Sequence, residues 1–157
     1  MTDRVRIGLV VTFLALVHLV LHVGLSYGRG APDLLTLGLL FASREIGAGR
    51  AATLGLGFGL LEDALSVLAF GANSVAMTVV GIAAALTRDL FIGDSRFFVV
   101  SYLFLGKWAR DLVHWMAVGD GLRQPFVEQV LVDGGIASVY VAVIGIVVLE
   151  LAGEKST

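Results

Sequence analysis

The sequence contains no cysteine, only two prolines and few charged side chains. Without cysteine the chain forms no disulfide, binds no metal through thiolates and uses no thiol nucleophile. Charged residues make up 15% of the chain, whereas a soluble domain carries about a quarter. The formal net charge of −2 argues against nucleic acid, whose binding calls for a clustered basic surface.

Apolar residues are abundant instead. They make up 57% of the 157 residues, and the mean hydropathy is +0.92. This length predicts one domain, and the short polar stretches between apolar runs predict no appended soluble domain. We therefore expect an all-α integral membrane protein, a transmembrane bundle in the lipid bilayer whose polar groups are turned inward.

The N-terminal segment resembles a secretion signal, because Arg4 and Arg6 precede an apolar run. That run extends over residues 7–27, however, which is longer than the apolar part of a typical signal. Gly24-Leu25-Ser26 is also a poor cleavage site. The segment is therefore predicted to be a retained first span.

Six apolar segments are candidate transmembrane helices. They cover residues 7–27, 32–43, 51–70, 74–90, 97–118 and 125–149. A span needs about 20 mostly apolar residues, so the short second segment crosses only with help from its flanks or in a thinned bilayer. The alternative is a bundle of five spans.

The distribution of basic residues favours six spans with both termini in the cytoplasm. On the cytoplasmic side this arrangement places Arg4, Arg6, Arg44, Arg50, Arg88, Arg96 and Lys155. On the outer side it places Arg29 and Arg123. The best arrangement with five spans leaves three basic residues outside and six inside, which is a weaker asymmetry.

Small residues recur at intervals of four in the third segment, where Ala51, Gly55, Gly59 and Asp63 share one helix face. Gly81 extends this pattern to the fourth segment. Such residues let helix backbones approach closely in membranes. Packing within one bundle is favoured over a homodimer seam, because the pattern is common in any membrane bundle.

Ionisable residues occur inside two predicted spans. They are Glu62 and Asp63 in the third, and Lys107, Arg110, Asp111 and His114 in the fifth. The four in the fifth segment fall within an arc of about 100°. A charge near mid-membrane costs about 2.5–3.5 kcal/mol on the insertion scale, so these groups must face protein or water.

The simplest pairing joins Asp63 or Glu62 to Lys107 or Arg110, and Asp111 to Lys107 along its own helix. The five charges sum to −1, which is close to neutral and favours a cluster that locks two helices together. The alternative is a path for a proton or a ligand, because ionisable residues within a membrane are functional candidates.

Two further patterns suggest chemistry but lack its context. His18 and His22 lie four residues apart, yet no third ligand for a metal can be placed, so helix packing is favoured over a metal or haem site. Gly24–Gly28 matches the G-x-S-x-G nucleophile elbow around Ser26, but no strand precedes it. The sequence predicts no catalytic residue, no metal and no cofactor.

Three local patterns together resemble the MreD family of bacterial rod shape-determining membrane proteins. Pro32-Asp33 opens a short apolar helix that ends at Ser43-Arg44-Glu45. A glycine-striped run then leads from Gly55 through Asp63 to Ser66, and Gly71-Ala72-Asn73-Ser74 opens a span that contains Gly81. The resemblance covers roughly residues 30–85.

The resemblance implies a non-enzymatic scaffold in the bacterial inner membrane. Such a protein binds MreC, and through it connects MreB filaments to the glycosyltransferase RodA and its transpeptidase partner during lateral wall synthesis. It also implies a fold similar to the substrate-binding component of energy-coupling-factor transporters, with six helices around a central cavity.

That similarity supplies a rival interpretation, a binding subunit of a small-molecule importer. Its pocket would use polar and aromatic residues such as Tyr102, Trp108 and Trp115. Segments 28–33 and 70–73 are too short to cover a ligand from the outer side, so the scaffold is favoured. A membrane enzyme built on the histidines and acidic residues is a third and weaker alternative.

Overall fold

The computed structural model describes residues 3–21, 32–66, 69–91 and 96–151. Within these ranges the chain is helical and contains no strand, which confirms the all-α prediction. The six α-helices are α1 (Asp3–Leu19), α2 (Leu34–Glu45), α3 (Ala48–Leu65), α4 (Ala72–Thr87), α5 (Arg96–Ala117) and α6 (Gly134–Leu151). A 3-10 turn, Arg88–Phe91, follows α4, and a π-helical turn, Val127–Asp133, leads directly into α6.

One helix in the described ranges is long and apolar enough to cross a membrane. It is the 25-residue helix Val127–Leu151, formed by the π-helical turn and α6. The apolar helices Val5–Leu19 and Ala72–Thr87 are shorter, and residues 22–27 of the first predicted span lie outside the described ranges. The number of six spans therefore stays a prediction.

The short second helix is the centre of the bundle. α2 packs against α1, α3, α4, α5 and α6, and every residue from Leu34 to Ser43 is buried. A helix that is apolar on all sides needs such surroundings. Because 12 residues reach only about 18 Å, the polar groups at its ends need partners from the neighbouring helices.

Those partners are present at both ends of α2. At the N-terminus, the Asp33 carboxylate accepts hydrogen bonds from the Thr36 backbone N–H (2.9 Å) and hydroxyl (2.7 Å). At the C-terminus, Arg88 Nη1 donates to the carbonyls of Arg44 and Ile46, both at 3.2 Å. This short helix, buried from Leu34 to Ser43, is therefore closed by a carboxylate at one end and a guanidinium at the other.

The glycines of the predicted stripe lie where α3 meets α4. A Cβ atom added to Gly59 would stand 2.6 Å from the carbonyl oxygen of Asn73, and one added to Gly81 would stand 2.7 Å from that of Ala51. Gly55 faces the backbone of α4 in the same way. The two helices approach so closely because these positions carry no side chain.

The boundary between α3 and α4 differs from the predicted spans. α3 ends at Leu65, with Ser66 extended (φ −107°, ψ 128°), whereas the third span was expected to reach residue 70. α4 begins at Ala72, after Gly71 in the left-handed conformation (φ 95°). Apolar composition continues through this connection, so hydropathy alone does not locate the turn.

Candidate functional site: a buried ion-pair network

Five charged side chains from three helices meet inside the bundle, and we call them the ion-pair network. They are Asp33 at the start of α2, Glu62 in α3, and Lys107, Arg110 and Asp111 in α5. Their side chains are between 5% and 14% exposed. The network is therefore largely shielded from solvent.

The spacing along α5 brings its three charges to one side of that helix. Residues three and four apart are neighbours on a helix surface, so Arg110 and Asp111 both lie one turn beyond Lys107. α5 packs against α4 and α6 and also contacts α2. Its charged face is consequently turned towards the centre of the bundle.

Arg110 is the hub of the network. Its Nη2 pairs with Glu62 Oε2 and donates to Asn73 Oδ1 at 2.6 Å. Its Nη1 donates to Asp111 Oδ1 at 3.1 Å, and its Nε lies 3.8 Å from Asp33 Oδ2. One guanidinium thus connects α5 with α2, α3 and the first turn of α4.

Lys107 completes the connection to α2. Its Nζ donates to Asp111 Oδ1 at 2.5 Å and lies 3.4 Å from Asp33 Oδ2. Asp33 is also the N-cap of α2, where a negative charge is favoured by the helix dipole. The carboxylate therefore stabilises the start of α2 and is itself held by two cations of α5.

α1 contributes His18 to the edge of the network. The side chain is 4% exposed, and its Nε2 lies 3.9 Å from Glu62 Oε1. The two oxygens of Glu62 are thus divided, one facing Arg110 and the other facing His18. This is the point at which α1 meets the ionic contacts of α3 and α5.

The network holds three carboxylates and two cations, so its formal charge is −1 before any histidine is counted. Buried charges are costly unless they are paired and hydrogen-bonded, and most of these groups meet more than one partner. In the described part of the chain, no group of three or more histidine, aspartate or glutamate side chains is placed to hold a metal. The contacts observed in the network are ion pairs and hydrogen bonds.

Asp63, predicted as a member of the charged cluster, makes different contacts. Its carboxylate accepts hydrogen bonds from the backbone N–H groups of Asn73 (3.1 Å) and Ser74 (3.0 Å) and from the Ser74 hydroxyl (2.5 Å). Of the two neighbouring acids, Glu62 is therefore the one that pairs with α5. Asp63 instead caps α4, because adjacent residues on a helix point in directions about 100° apart.

Other predicted residues lie beside the network rather than in it. His114, one turn beyond Arg110, is partly buried and is not one of the five paired groups. Trp108 Nε1 donates to the carbonyl of Val130 at 3.1 Å, and Trp115 Nε1 donates to that of Gln124 at 2.9 Å. Both indole N–H groups thus attach the segment before α6 to α5.

Tyr102, the third aromatic residue proposed for a pocket, lies deep in the bundle. Its side chain is 4% exposed, and its hydroxyl donates to the carbonyl of Leu40 at 3.1 Å, with that of Ala84 at 3.4 Å. The ring therefore ties α5 to α2 and α4. His22, Ser26 and the whole elbow-like stretch of residues 24–28 lie outside the described residues.

The sequence analysis did not predict that three further residues contact the charged side chains of Glu62 or of α5. Asp33 and Asn73 were singled out only as positions of the family resemblance, and His18 only as half of a histidine pair. One signal was available for Asp33: it opens a helix too short to span, so its carboxylate had to lie within the bundle. No comparable signal identified Asn73 or the contact between His18 and Glu62.

Comparisons with known proteins identify no relative. No protein-family model matches the chain, and no curated protein or solved structure shows significant similarity to it.

Proposed function

We propose that the chain is a six-span scaffold of the bacterial inner membrane, with both termini in the cytoplasm, that binds a single-span partner of the MreC type. Through that partner it would reach RodA and its transpeptidase, and indirectly MreB. In this proposal the protein contributes to lateral wall synthesis and rod shape without catalysing a reaction. The family resemblance of residues 30–85 motivates the choice of partner.

The observation that carries the membrane part is the combination of apolar outward faces with a charged interior. Along α1 and at the residue that follows it, five large apolar side chains are between 50% and 65% exposed. They are Val5, Leu9, Phe13, Leu16 and Val20. Exposed apolar surfaces of this kind are typical of contact with lipid or with another protein.

The outward side of α6 has the same character. Ile136, Val139, Tyr140, Val143 and Val147 are between 48% and 67% exposed. The ion-pair network meanwhile points into the bundle, as expected of charges that must avoid lipid. The outward faces of α1 and α6 are therefore our candidate surfaces for the partner helix.

The scaffold part of the proposal is supported by the structural role of the polar side chains, which fix the helices relative to one another. Asp33, Asp63 and Arg88 close the ends of helices, and Arg110 joins four of them. A fixed arrangement of helices suits a protein whose task is to present a surface. Such groups also specify one packing over others in some proteins.

Purification in mild detergent tests the proposal. The chain, carrying an affinity tag, is extracted from a rod-shaped bacterium that expresses it, and proteins retained in stoichiometric amount are identified by mass spectrometry. A single-span protein of the MreC type is the expected companion. Isolation of the well-folded chain without such a protein, under conditions that preserve other membrane complexes, contradicts the scaffold proposal.

A second candidate function is a substrate-binding subunit of a small-molecule importer. It rests only on the transporter-like fold that the family resemblance implies, because the N-termini of α2 and α4 are already capped by the Asp33 and Asp63 carboxylates. In the same purification this candidate predicts a small molecule bound in stoichiometric amount, detectable after denaturation, together with the subunits of a transporter.

A further inference from the structure

The ion-pair network has one negative charge more than its cations neutralise. Among the described residues, the permanent cations within ion-pair distance of Asp33, Glu62 and Asp111 are Lys107 and Arg110. All five side chains are at most 14% exposed. An excess charge in such a place is unfavourable, and a protein relieves it by taking up a proton or by placing a further cation nearby.

His18 is placed to supply the missing positive charge. Its Nε2 lies 3.9 Å from Glu62 Oε1, the oxygen that Arg110 does not occupy. An imidazolium there would make the six groups neutral. The distance between Nε2 and Oε1 lies within ion-pair range and slightly beyond that of a direct hydrogen bond.

The other groups around this pair come from α2, α4 and α5. The charged ones are Asp33, Lys107, Arg110 and Asp111, with the titratable His114 further along α5. α4 contributes Asn73, a neutral group that accepts from Arg110. The two cations neutralise two of the three carboxylates, and among the described residues His18 is the further basic group within ion-pair distance of the network, so the geometry places the additional proton between His18 and Glu62.

We propose that the His18–Glu62 pair binds one proton and that this proton controls how firmly α1 is attached to the bundle. The packing of α1 is mainly against α2, and His18 supplies its ionic contact with α3. Loss of the proton leaves a neutral imidazole beside a network of charge −1, which removes that attraction. This inference concerns regulation of the fold and does not depend on the scaffold function.

The direction of the pH effect follows from linkage. The folded state with the pair intact binds a proton that the detached state holds less firmly, so attachment of α1 is strongest at low pH and weakens as pH rises. A side chain at position 18 that is always neutral, or always positively charged, should abolish the pH dependence of α1 attachment. Substitutions at His18 separate these cases, because they alter α1 without touching Arg110 or Lys107.

Hydrogen–deuterium exchange of the purified chain in nanodiscs tests the proposal, with α4 as the internal reference for the intrinsic effect of pH on exchange. In the wild type, the ratio of the amide exchange rate in α1 to that in α4 should rise by roughly tenfold as pH rises through the titration of the pair. His18→Gln should show rapid α1 exchange at every pH, and His18→Lys slow exchange at every pH. His114→Gln, the control, should keep the wild-type response.

A direct observation of the proton keeps the test decisive if a His18 variant folds poorly. The chain has three histidines, so His22→Gln combined with His114→Gln leaves His18 as the single imidazole, visible by NMR after isotope labelling. We expect an imidazolium whose titration midpoint falls by about one pH unit or more in Glu62→Gln. A His18 that stays neutral wherever the protein is folded, or that titrates unchanged in Glu62→Gln, overturns the proposal, as does a wild-type exchange response in His18→Gln.

Discussion

The Asp63 carboxylate of α3 caps the first turn of α4 through Ser74. Its Oδ2 accepts from both the backbone N–H (3.0 Å) and the hydroxyl (2.5 Å) of that residue, while Gly71 at the N-cap position has no side chain to do so. Asp63→Ala should therefore lower the free energy of unfolding by about 1–2 kcal/mol, the usual effect of losing an N-cap.

Equilibrium unfolding in detergent checks this value. Glu128→Ala serves as a control, because Glu128 is an exposed acid in the π-helical turn. Asp63→Asn retains one acceptor oxygen and should fall between the two variants. Equal stability of Asp63→Ala and Glu128→Ala would refute the capping role.

The pair formed by Glu62 and Arg110 should behave as a coupled unit. Removing one partner of a buried ion pair costs about 3–5 kcal/mol, because the other charge remains buried. Arg110→Gln should therefore be strongly destabilising, and adding Glu62→Gln should recover part of the loss. A double-mutant cycle based on thermal or denaturant unfolding measures the coupling, and strictly additive losses would show that the helices are not linked there.

Close packing of α3 against α4 predicts a sharp contrast between two glycines of the same helix. A Cβ added to Gly59 would lie 2.6 Å from the backbone oxygen of Asn73, whereas one added to Gly57 meets nothing within 4 Å. Gly59→Ala should destabilise the protein by about 1–3 kcal/mol through overpacking. Gly57→Ala should be neutral or slightly stabilising, since alanine is favoured over glycine in a helix.

The free energies of unfolding of the two alanine variants are compared under identical conditions. Because both replace glycine by alanine in the same helix, the difference between them does not contain the change in helix propensity. Gly59→Leu should fail to fold and, in cells, should reproduce the loss of the protein. Gly59→Ala as stable as Gly57→Ala would mean that α3 and α4 are further apart than the structure places them.

Topology provides a fourth prediction. Reporter fusions to the N-terminus and after Thr157 should both read as cytoplasmic, because six spans place seven basic residues inside and two outside. Alkaline phosphatase activity from the N-terminal fusion, with the opposite result at Thr157, would favour five spans.

The helical class of the fold could be predicted from composition, and the short second segment could be recognised from its length. The sequence did not reveal that this segment is the central helix. Apart from Thr36, its run from Leu34 to Ala42 is apolar, so periodicity offered no polar face by which to orient it. Placing it required the neighbours that surround it.

The charged site was only partly predictable for a similar reason. The spacing of Lys107, Arg110 and Asp111 placed three charges on one face, because helical geometry is regular. The partners from other helices depend on rotation and depth, which a single sequence does not encode locally. Glu62 and Asp63 are adjacent, and only packing decided that one meets α5 and the other caps α4.

Photocrosslinking in the intact membrane tests the central claim most directly. A photoreactive residue replaces Phe13 of α1 (65% exposed) or Ile136 of α6 (67% exposed), with buried Leu39 of α2 (0%) as the control. A scaffold predicts covalent capture of one single-span protein of the MreC type from an outward position and none from residue 39. Crosslinks to lipid alone from both outward positions, in a folded and functional chain, would contradict the account.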